Sequence, residues 1–349
     1  MTNLEALADK VTAGRTLTRD EARAALREIL TGDAPASHTE DELIARLLTS
    51  MAERGETADE LAGFAESMRE LSIPVPFTHA ERATLVDTCG TGGSGDGTFN
   101  ISTASALVAA AAGAKVAKHG NRAITSKCGS ADVLEAMHIP VALTPRQSVD
   151  CLRATGFTFL YAPALHPAMK RVQPIRRSIG RRTIFNLAGP LTNPARANAQ
   201  VMGVYSSQKV DGAAQALALL GVRHALVVHG AGGLDELTLT GPSEIAEVRN
   251  GAVTKSELQP EETGLARCTL AELQGADTAA GNAAILQNIF AGETGPRRDI
   301  VLLNAAAALL VSGLVASLRQ GIAQCAAAID SGAVKNTVAQ LQEFGRHIQ

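Results

Sequence analysis

Over the first 72 residues, apolar side chains recur at helical spacing, as in Leu43, Ala45, Leu47, Leu48 and Met51. Three Thr-x-x-Glu segments punctuate that pattern: Thr18/Glu21, Thr39/Glu42 and Thr57/Glu60. In each, the threonine oxygen can accept from the amide three residues on, while the glutamate reaches back to the threonine amide. The pattern predicts a small helical domain over 1–72 that offers packing or partner surfaces and no catalytic constellation. Ser72–Thr78, with two prolines, reads as the linker out.

From Thr84 the periodicity changes. TLVDTC reads as a buried strand, followed by a glycine-rich loop and an alanine-rich helix from about Ser102 to Ala112. AKVAKHG, FTFLYAP, QVMGVYS and HALVVHG read as further strands. Ser130–Met137 reads as a helix, Thr144-Pro145-Arg146-Gln147 opens another, and His166–Ile179 reads as helical around Pro174. Strands alternating with helices predict an α/β fold: a small N-terminal helical domain plus a large domain, about 80–349, with a mainly parallel central sheet. Ligands of such sheets lie outside the carboxyl ends of the strands. The glycine loop, the KHG turn, YAPALH and the HGAGG turn all fall at such ends. The apolar run Ile300–Leu318 is long enough to span a bilayer. Its five alanines and interrupting Asn304, Ser312 and Gly313 read instead as a buried helix.

Composition narrows the function classes. A net charge of −3 over 349 residues argues against a general nucleic-acid binder. Five cysteines with no CxxC pair suggest a reducing compartment, without a disulfide framework or zinc knuckle. MTNLEALADK lacks the basic and apolar regions of a signal peptide, so the expected location is cytoplasmic, with no membrane association. Charge, however, is unevenly placed. Cys151 to Val210 holds nine Lys or Arg and no acid, and Gly97 to Ala131 again holds cations only. That segregation points to an anionic small-molecule site in the middle third.

Asp87 to Thr103 reads DTCGTGGSGDGTFNIST, with five glycines in eight residues ahead of a helix start. Glycine lets backbone amides turn inward onto an anion, and a helix N-terminus adds favourable potential. GxGxxG is formally matched, but a dinucleotide site wants an acid about 20 residues on. Lys115 and Lys118 stand there, so a phosphate or diphosphate cradle is the better reading. Lys118-His119-Gly120-Asn121-Arg122 gathers polar side chains at a strand end. Asp235-Glu236 pairs carboxylates that repel unless a cation bridges them, which suits magnesium among phosphate oxygens. Arg176-Arg177 offers guanidinium groups suited to a carboxylate.

Together, GTGGSGDGTFNIST, KHGNRAITSKCGSADVLEAM, HPAMKRVQPIRRSIGRRTIFNLAGPLTNP and VVHGAGGLDEL closely resemble the anthranilate phosphoribosyltransferase family, over nearly the whole chain. The ordered set is specific although each motif alone is not. The resemblance implies a fold like that of the pyrimidine nucleoside phosphorylases, with return helices at about 166–182 joining the helical domain. It implies 5-phosphoribosyl-1-diphosphate and anthranilate as substrates in tryptophan synthesis, two Mg²⁺ ions, and a homodimer formed through the N-terminal helices. By motif position, Gly90, Thr91, Gly93, Ser94 and Thr98 would surround the diphosphate. Asn100, Ser102 and Thr103 would hold its oxygens, Ser102 also touching one Mg²⁺, and Asp235 with Glu236 would bind the other. Lys118, His119, Gly120 and Ser130 would complete the phosphate side. Asn121, His166 and Arg176 would line the anthranilate path, with Gly189 and Pro190 shaping it. No residue is expected to act as nucleophile or strong base, and Lys118 and Arg176 carry the largest roles.

One departure stands out. The family reads an acid directly after GTGG, where this chain has Ser94, with Asp96 two places later. Either Asp96 or water replaces that carboxylate. The later acid is also similar to the loop of the related nucleoside phosphorylases. That reading stays open, as does a non-catalytic paralogue binding nucleic acid through the basic middle third.

Overall fold

The computed structural model describes residues 3–32, 38–92, 97–123 and 128–348. Four helices open the chain: α1 (Asn3–Thr12), α2 (Arg19–Thr31), α3 (His38–Arg54) and α4 (Ala58–Glu70). The expected boxes form at Thr18 and Thr57. Thr39 does not play that part, because α3 already begins at His38 and places Thr39 inside its first turn. Glu60 does more than close its box. Buried completely, it accepts from the Leu17 and Thr57 amides and pairs with Arg54, so one carboxylate ties α4 to the chain entering α2. The segment read as a linker ends in a further box, Thr78 with Glu81, which starts the short helix α5 (His79–Thr84).

A seven-stranded sheet follows, in the order β3-β2-β1-β4-β5-β6-β7. Its strands are β1 (Leu85–Asp87), β2 (Lys115–Gly120), β3 (Phe157–Tyr161), β4 (Ala199–Gly203), β5 (His224–Gly230), β6 (Ser243–Arg249) and β7 (Ala252–Leu258). The first five are parallel, and β6 and β7 run antiparallel. Chain order runs outward from β1 in one direction and from β4 in the other, so the β1/β4 boundary is the switch point where such sheets open a ligand crevice. Helix α6 (Ile101–Ala111) starts there, after the glycine loop.

Several local expectations are corrected. The β6–β7 hairpin was not anticipated. Its signal is Asn250-Gly251, whose positive φ angles of 49° and 84° make the tight turn that matches strand twist. FTFLYAP gives a strand only to Tyr161, and Ala162–Leu165 turns helical. His166–Ile179 splits into a 3₁₀ turn, Pro167–Lys170, and a helix, Gln173–Ile179, with Pro174 in its first turn where proline costs least. The apolar run 300–318 is divided, because the helix Pro296–Ser312 stops at Gly313 with φ 78°. Among the described residues no helix is long and apolar enough to cross a bilayer.

The buried apolar residues form three clusters about the sheet, the smallest around Phe77, Leu85 and Leu160. One face packs α6, Ala279–Phe290 and Pro296–Ser312. The other packs Val210–Leu219 and, beyond it, α1 to α4 with residues between Val172 and Leu191. This arrangement also explains much of the acid-free stretch. Arg171 pairs with Glu40, Arg181 with Glu53, and Lys209 with Glu56 at 2.7 Å. Arg153 pairs with Glu81. Four of the nine cations therefore answer carboxylates supplied by the N-terminal part of the chain.

Candidate active site

The strand ends deliver the sequence-predicted residues to the crevice. At β1 the chain leaves the sheet, and the Thr91 amide donates to the Gly203 carbonyl at the end of β4, 2.9 Å away. The Gly92 amide donates to Asp235 Oδ2 at 2.8 Å. Glycines allow this closeness. A Cβ at Gly90 would meet the Gly203 carbonyl at 2.9 Å and Asp235 Oδ2 at 3.3 Å. One at Gly230 would meet the Glu236 carbonyl at 2.6 Å. Three backbones thus meet at one point because three residues lack side chains.

Lys118, from β2, reaches under the loop. Its buried ammonium donates to Thr88 O (3.0 Å), Thr88 Oγ1 (3.2 Å) and Ser102 Oγ (3.3 Å). Burial lowers its pKa, and the charges of Asp87, Glu236 and Asp235 push back. Glu236 shows the reverse. Burial first, and the Asp235 charge second, raise its pKa well above the usual carboxylate range, with Lys118 opposing. Its Oε2 is buried without a hydrogen-bond partner. A buried, unpartnered carboxylate oxygen beside a second carboxylate is the donor set a hard divalent cation completes. Among the described residues no group of three or more His, Cys, Asp or Glu stands ready to hold a metal. Magnesium here would therefore need ligands from water or substrate phosphate, its usual habit.

Two further unpartnered atoms flank the start of α6: Asn100 Oδ1 and the buried Thr103 Oγ1. Asn100 occupies the cap position without capping, and its amide donates instead to Cys128 O at 3.1 Å. Ser130 Oγ and the Ala131 amide both donate to Asn121 O at 3.1 Å, fixing the turn after β2. Gly120 lies beneath Ser130 Oγ and the Phe159 ring, where a Cβ would stand 2.5 Å and 2.7 Å away. Thr98 makes an isolated bridge with Gln274. Gly93 and Ser94 lie outside the described residues, as does Asp96.

Deeper in, the His119 and His166 rings lie 5.2 Å apart between centroids. Both His119 ring nitrogens and His166 Nε2 are buried without partners. Burial brings His166 down to about 4 and His119 well below its ordinary 6.5, the latter also disfavoured by His166, Lys118 and Arg69. Both are neutral at pH 7. Arg176 joins no hydrogen bond of this cluster among the described residues. Its guanidinium lies over the Phe185 ring at 5.1 Å, and burial lowers its pKa. Gly189 has open space about it, whereas Pro190 is held through Gln200, whose amide donates to its carbonyl at 2.8 Å. Arg122 departs from its neighbours and pairs with Glu135 and Asp132.

Sequence reasoning missed three contributors. Asp87 and Asn193 are buried together at 2.8 Å. A carboxylate ending the apolar strand TLVD was the available signal. Arg69, from α4, donates to Leu191 O and is brought down to about 10 by burial and by Arg196. Nothing in an amphipathic helix distinguishes it.

The glycosyl transferase family α/β domain matches residues 82–335, and the helical bundle domain of the same family matches 5–72. The chain is 47% identical over 346 residues to an anthranilate phosphoribosyltransferase of Symbiobacterium thermophilum, covering 99% of each chain. It is 50% identical over 328 residues to that of Solibacter usitatus, covering 94% of each. Among solved structures, anthranilate phosphoribosyltransferase from Thermus thermophilus superposes with a TM-score of 0.89 at 40% identity, over 97% of this chain and 99% of that one. The Saccharomyces cerevisiae enzyme in complex with PRPP and Mg superposes at 0.88 with 26% identity, over 99% of this chain and 98% of that one.

Proposed function

The chain belongs to the anthranilate phosphoribosyltransferases of the glycosyl transferase family, and from that premise we propose how its own residues perform the reaction. The activity is transfer of the 5-phosphoribosyl group from 5-phosphoribosyl-1-diphosphate to the amine of anthranilate, with release of pyrophosphate. The observation carrying our site assignment is the junction at the switch point. There Asp235 holds the glycine-loop amide of Gly92 while Glu236 Oε2 stands unpartnered near Lys118.

The loop amides from Gly90 to Gly93, with Ser94, Thr98, Asn100, Ser102 and Thr103, take the diphosphate. Thr103 Oγ1, a hydroxyl that lacks a partner in the protein, can donate to it. Asp235 and Glu236 would hold one magnesium ion, and Ser102 with the diphosphate a second. Bound there, the metal offsets the charge that builds on the departing pyrophosphate. Lys118 adds a fixed cation on the same side, where exclusion of water strengthens it. Anthranilate enters past Asn121, His166, Gly189 and Arg176, with Arg176 on its carboxylate. An aryl amine is neutral at pH 7 and needs no strong base. The neutral, dry His119–His166 pair suits an aromatic ring better than a proton transfer. Catalysis rests on positioning and on charge placed ahead of the oxocarbenium-like transition state.

The same reading divides the chain at about residue 72, with the segment 166–182 returning to the helical domain. It includes a homodimer through the N-terminal helices and a cytoplasmic location. The five free cysteines suit a reducing compartment. The nucleoside phosphorylase and nucleic-acid alternatives lose their footing. The full-length relatives carry the transferase name, and three of the nine cations of the basic middle third pair with acids of the helical domain.

The test is anthranilate fluorescence with the purified protein, 5-phosphoribosyl-1-diphosphate and Mg²⁺. Signal should decay, and EDTA should stop the decay; decay that survives EDTA would overturn the metal assignment. Arg176→Ala should raise the anthranilate KM by roughly ten- to a hundredfold, since a charge-assisted bond contributes about 1.5–3 kcal/mol. It should leave the KM for the diphosphate substrate near that of the wild type. Unchanged anthranilate kinetics would remove the carboxylate from Arg176.

A further inference from the structure

β1 is only three residues long, and its pairing with β2 covers Leu85↔Lys115 and Val86↔Val116. On its other side β2 pairs with β3 as far as Gly120↔Tyr161. The last residues of β2 therefore face an edge from which β1 has already departed. Two side chains continue the missing ladder. The His119 amide donates to Asp87 Oδ1 at 3.1 Å. Asn193 Nδ2 donates both to Ala117 O and to Asp87 Oδ2, each at 2.8 Å. Asn193 Oδ1 is itself fixed by the Ala195 amide at 2.9 Å. Residues 117 and 119 share one edge of the strand, so the carboxylate and the carboxamide act as two substitute rungs. Lys118 lies between them.

We propose that Asp87 is a positioning residue for the transfer reaction. Its carboxylate, clasped by the His119 amide and Asn193, holds the carboxyl end of β2 so that the Lys118 ammonium meets the diphosphate, and it supplies that ammonium's standing counter-charge. The proposal rests on the functional reading above.

Charge distribution supports the second half. Among the described residues Lys118 bonds to uncharged oxygens, those of Thr88 and Ser102. The carboxylates acting on it are Asp87, Glu236 and Asp235. With Asp235 and Glu236 engaged by metal, Asp87 is the one left to compensate the lysine. Asp87 is buried, which raises its pKa to about 6, with Lys118, Asn193 and the His119 and Thr88 amides opposing that rise. The other groups facing it do not titrate near there. His119 is neutral and the Cys89 thiol is pushed up by burial. Asp87 is thus the protein group of this cluster that titrates near pH 6. Protonating it, or replacing it with Asn, sets a donor against a donor at one rung and removes the charge.

The experiment is calorimetric binding of inorganic pyrophosphate at saturating Mg²⁺ between pH 5 and 8, with steady-state kinetics alongside. Pyrophosphate itself takes up a proton near pH 6, so the readout is the affinity of the wild type relative to Asp87→Asn, and that ratio should fall several-fold as pH drops through about 6. Asp87→Asn should bind roughly tenfold more weakly at pH 8, keep only the ligand's own acid limb, and raise the KM for the diphosphate substrate more than it lowers kcat. Asn193→Ala, which keeps the carboxylate but removes a donor to it, should move the limb to higher pH. A merely structural role would lower the melting temperature and leave the limb in place. Wild-type-like affinity in Asp87→Asn, or an unmoved limb in Asn193→Ala, overturns the proposal. If Asp87→Asn fails to fold, Asn193→Ala decides. A wild type that binds pyrophosphate without transferring phosphoribose fails the functional reading alone, and one that binds no pyrophosphate fails both.

Discussion

Glu236→Gln should lower kcat by roughly 10²-fold or more, the scale of losing one preorganised electrostatic group at a reacting centre, while the melting temperature in EDTA rises. The two effects have one cause. In the metal-free protein Glu236 is a buried carboxylate with Oε2 unpartnered and a second carboxylate beside it. Its pKa is raised, so between the ordinary carboxylate value and the raised one the unfolded chain binds fewer protons than the folded chain. Stability then falls as pH rises through that window, and the penalty is complete above it. Glutamine is nearly isosteric and uncharged, and it removes the penalty. Magnesium reverses the balance, because the ion compensates the charge and binds only the folded site. Melting curves with and without Mg²⁺ should therefore cross over: the variant more stable in EDTA, the wild type gaining more from the metal. The half-saturating Mg²⁺ concentration for turnover should rise in the variant. Equal melting temperatures in EDTA would show that Glu236 is not strained. An unchanged Mg²⁺ requirement would take the metal away from it.

Much of this site was legible in the sequence because it is built from backbone. A loop that presents amides and three backbones that touch demand glycine, and Gly90, Gly92, Gly203 and Gly230 are visible as letters. The polar residues after the strands were legible because ordering them at a strand end has a cost without a ligand. What stayed hidden depends on distance in three dimensions. The acid-free stretch could not announce that Glu40, Glu53 and Glu56 would meet its cations, since those acids lie more than a hundred residues upstream. Asp87 reads as one more residue of a buried strand until β1 is known to stop at three residues and leave the edge of β2 open. Arg69 belongs to the polar side of an amphipathic helix until its burial against Leu191 is known. The hairpin was a different failure. Asn250-Gly251 was a sufficient turn signal, but β7 is largely exposed, so its apolar pattern is weak.

Gly203→Ala should abolish most of the activity, with kcat/KM down by roughly 10²-fold or more, although the substitution adds only one methyl group. Gly203 ends β4 with its carbonyl accepting from the Thr91 amide. A Cβ built there would fall on the Asp235 carbonyl oxygen, inside any permissible contact, and against the Asp235 backbone behind it. The neighbour is main chain rather than the free end of a side chain, so it cannot rotate away. Space can be made only by moving the Asp235-Glu236 turn off the glycine loop. That breaks the Gly92–Asp235 hydrogen bond and shifts both proposed metal ligands. Misplacing such groups by about 1 Å costs on the order of 10² in rate. Overpacking of this kind costs about 1–3 kcal/mol of stability. Gly203 is not among the glycines with positive φ, so backbone strain is not the reason, and Gly212 makes the contrast. In its helix nothing lies within 4 Å of a Cβ. Gly212→Ala should therefore keep full activity and hold or raise the melting temperature. Thermal melts, kcat/KM and the Mg²⁺ requirement, measured on both variants, separate the outcomes. A fully active Gly203→Ala would mean that the turn has slack, and the close packing of β4 on the acidic pair would not be what sets the metal site.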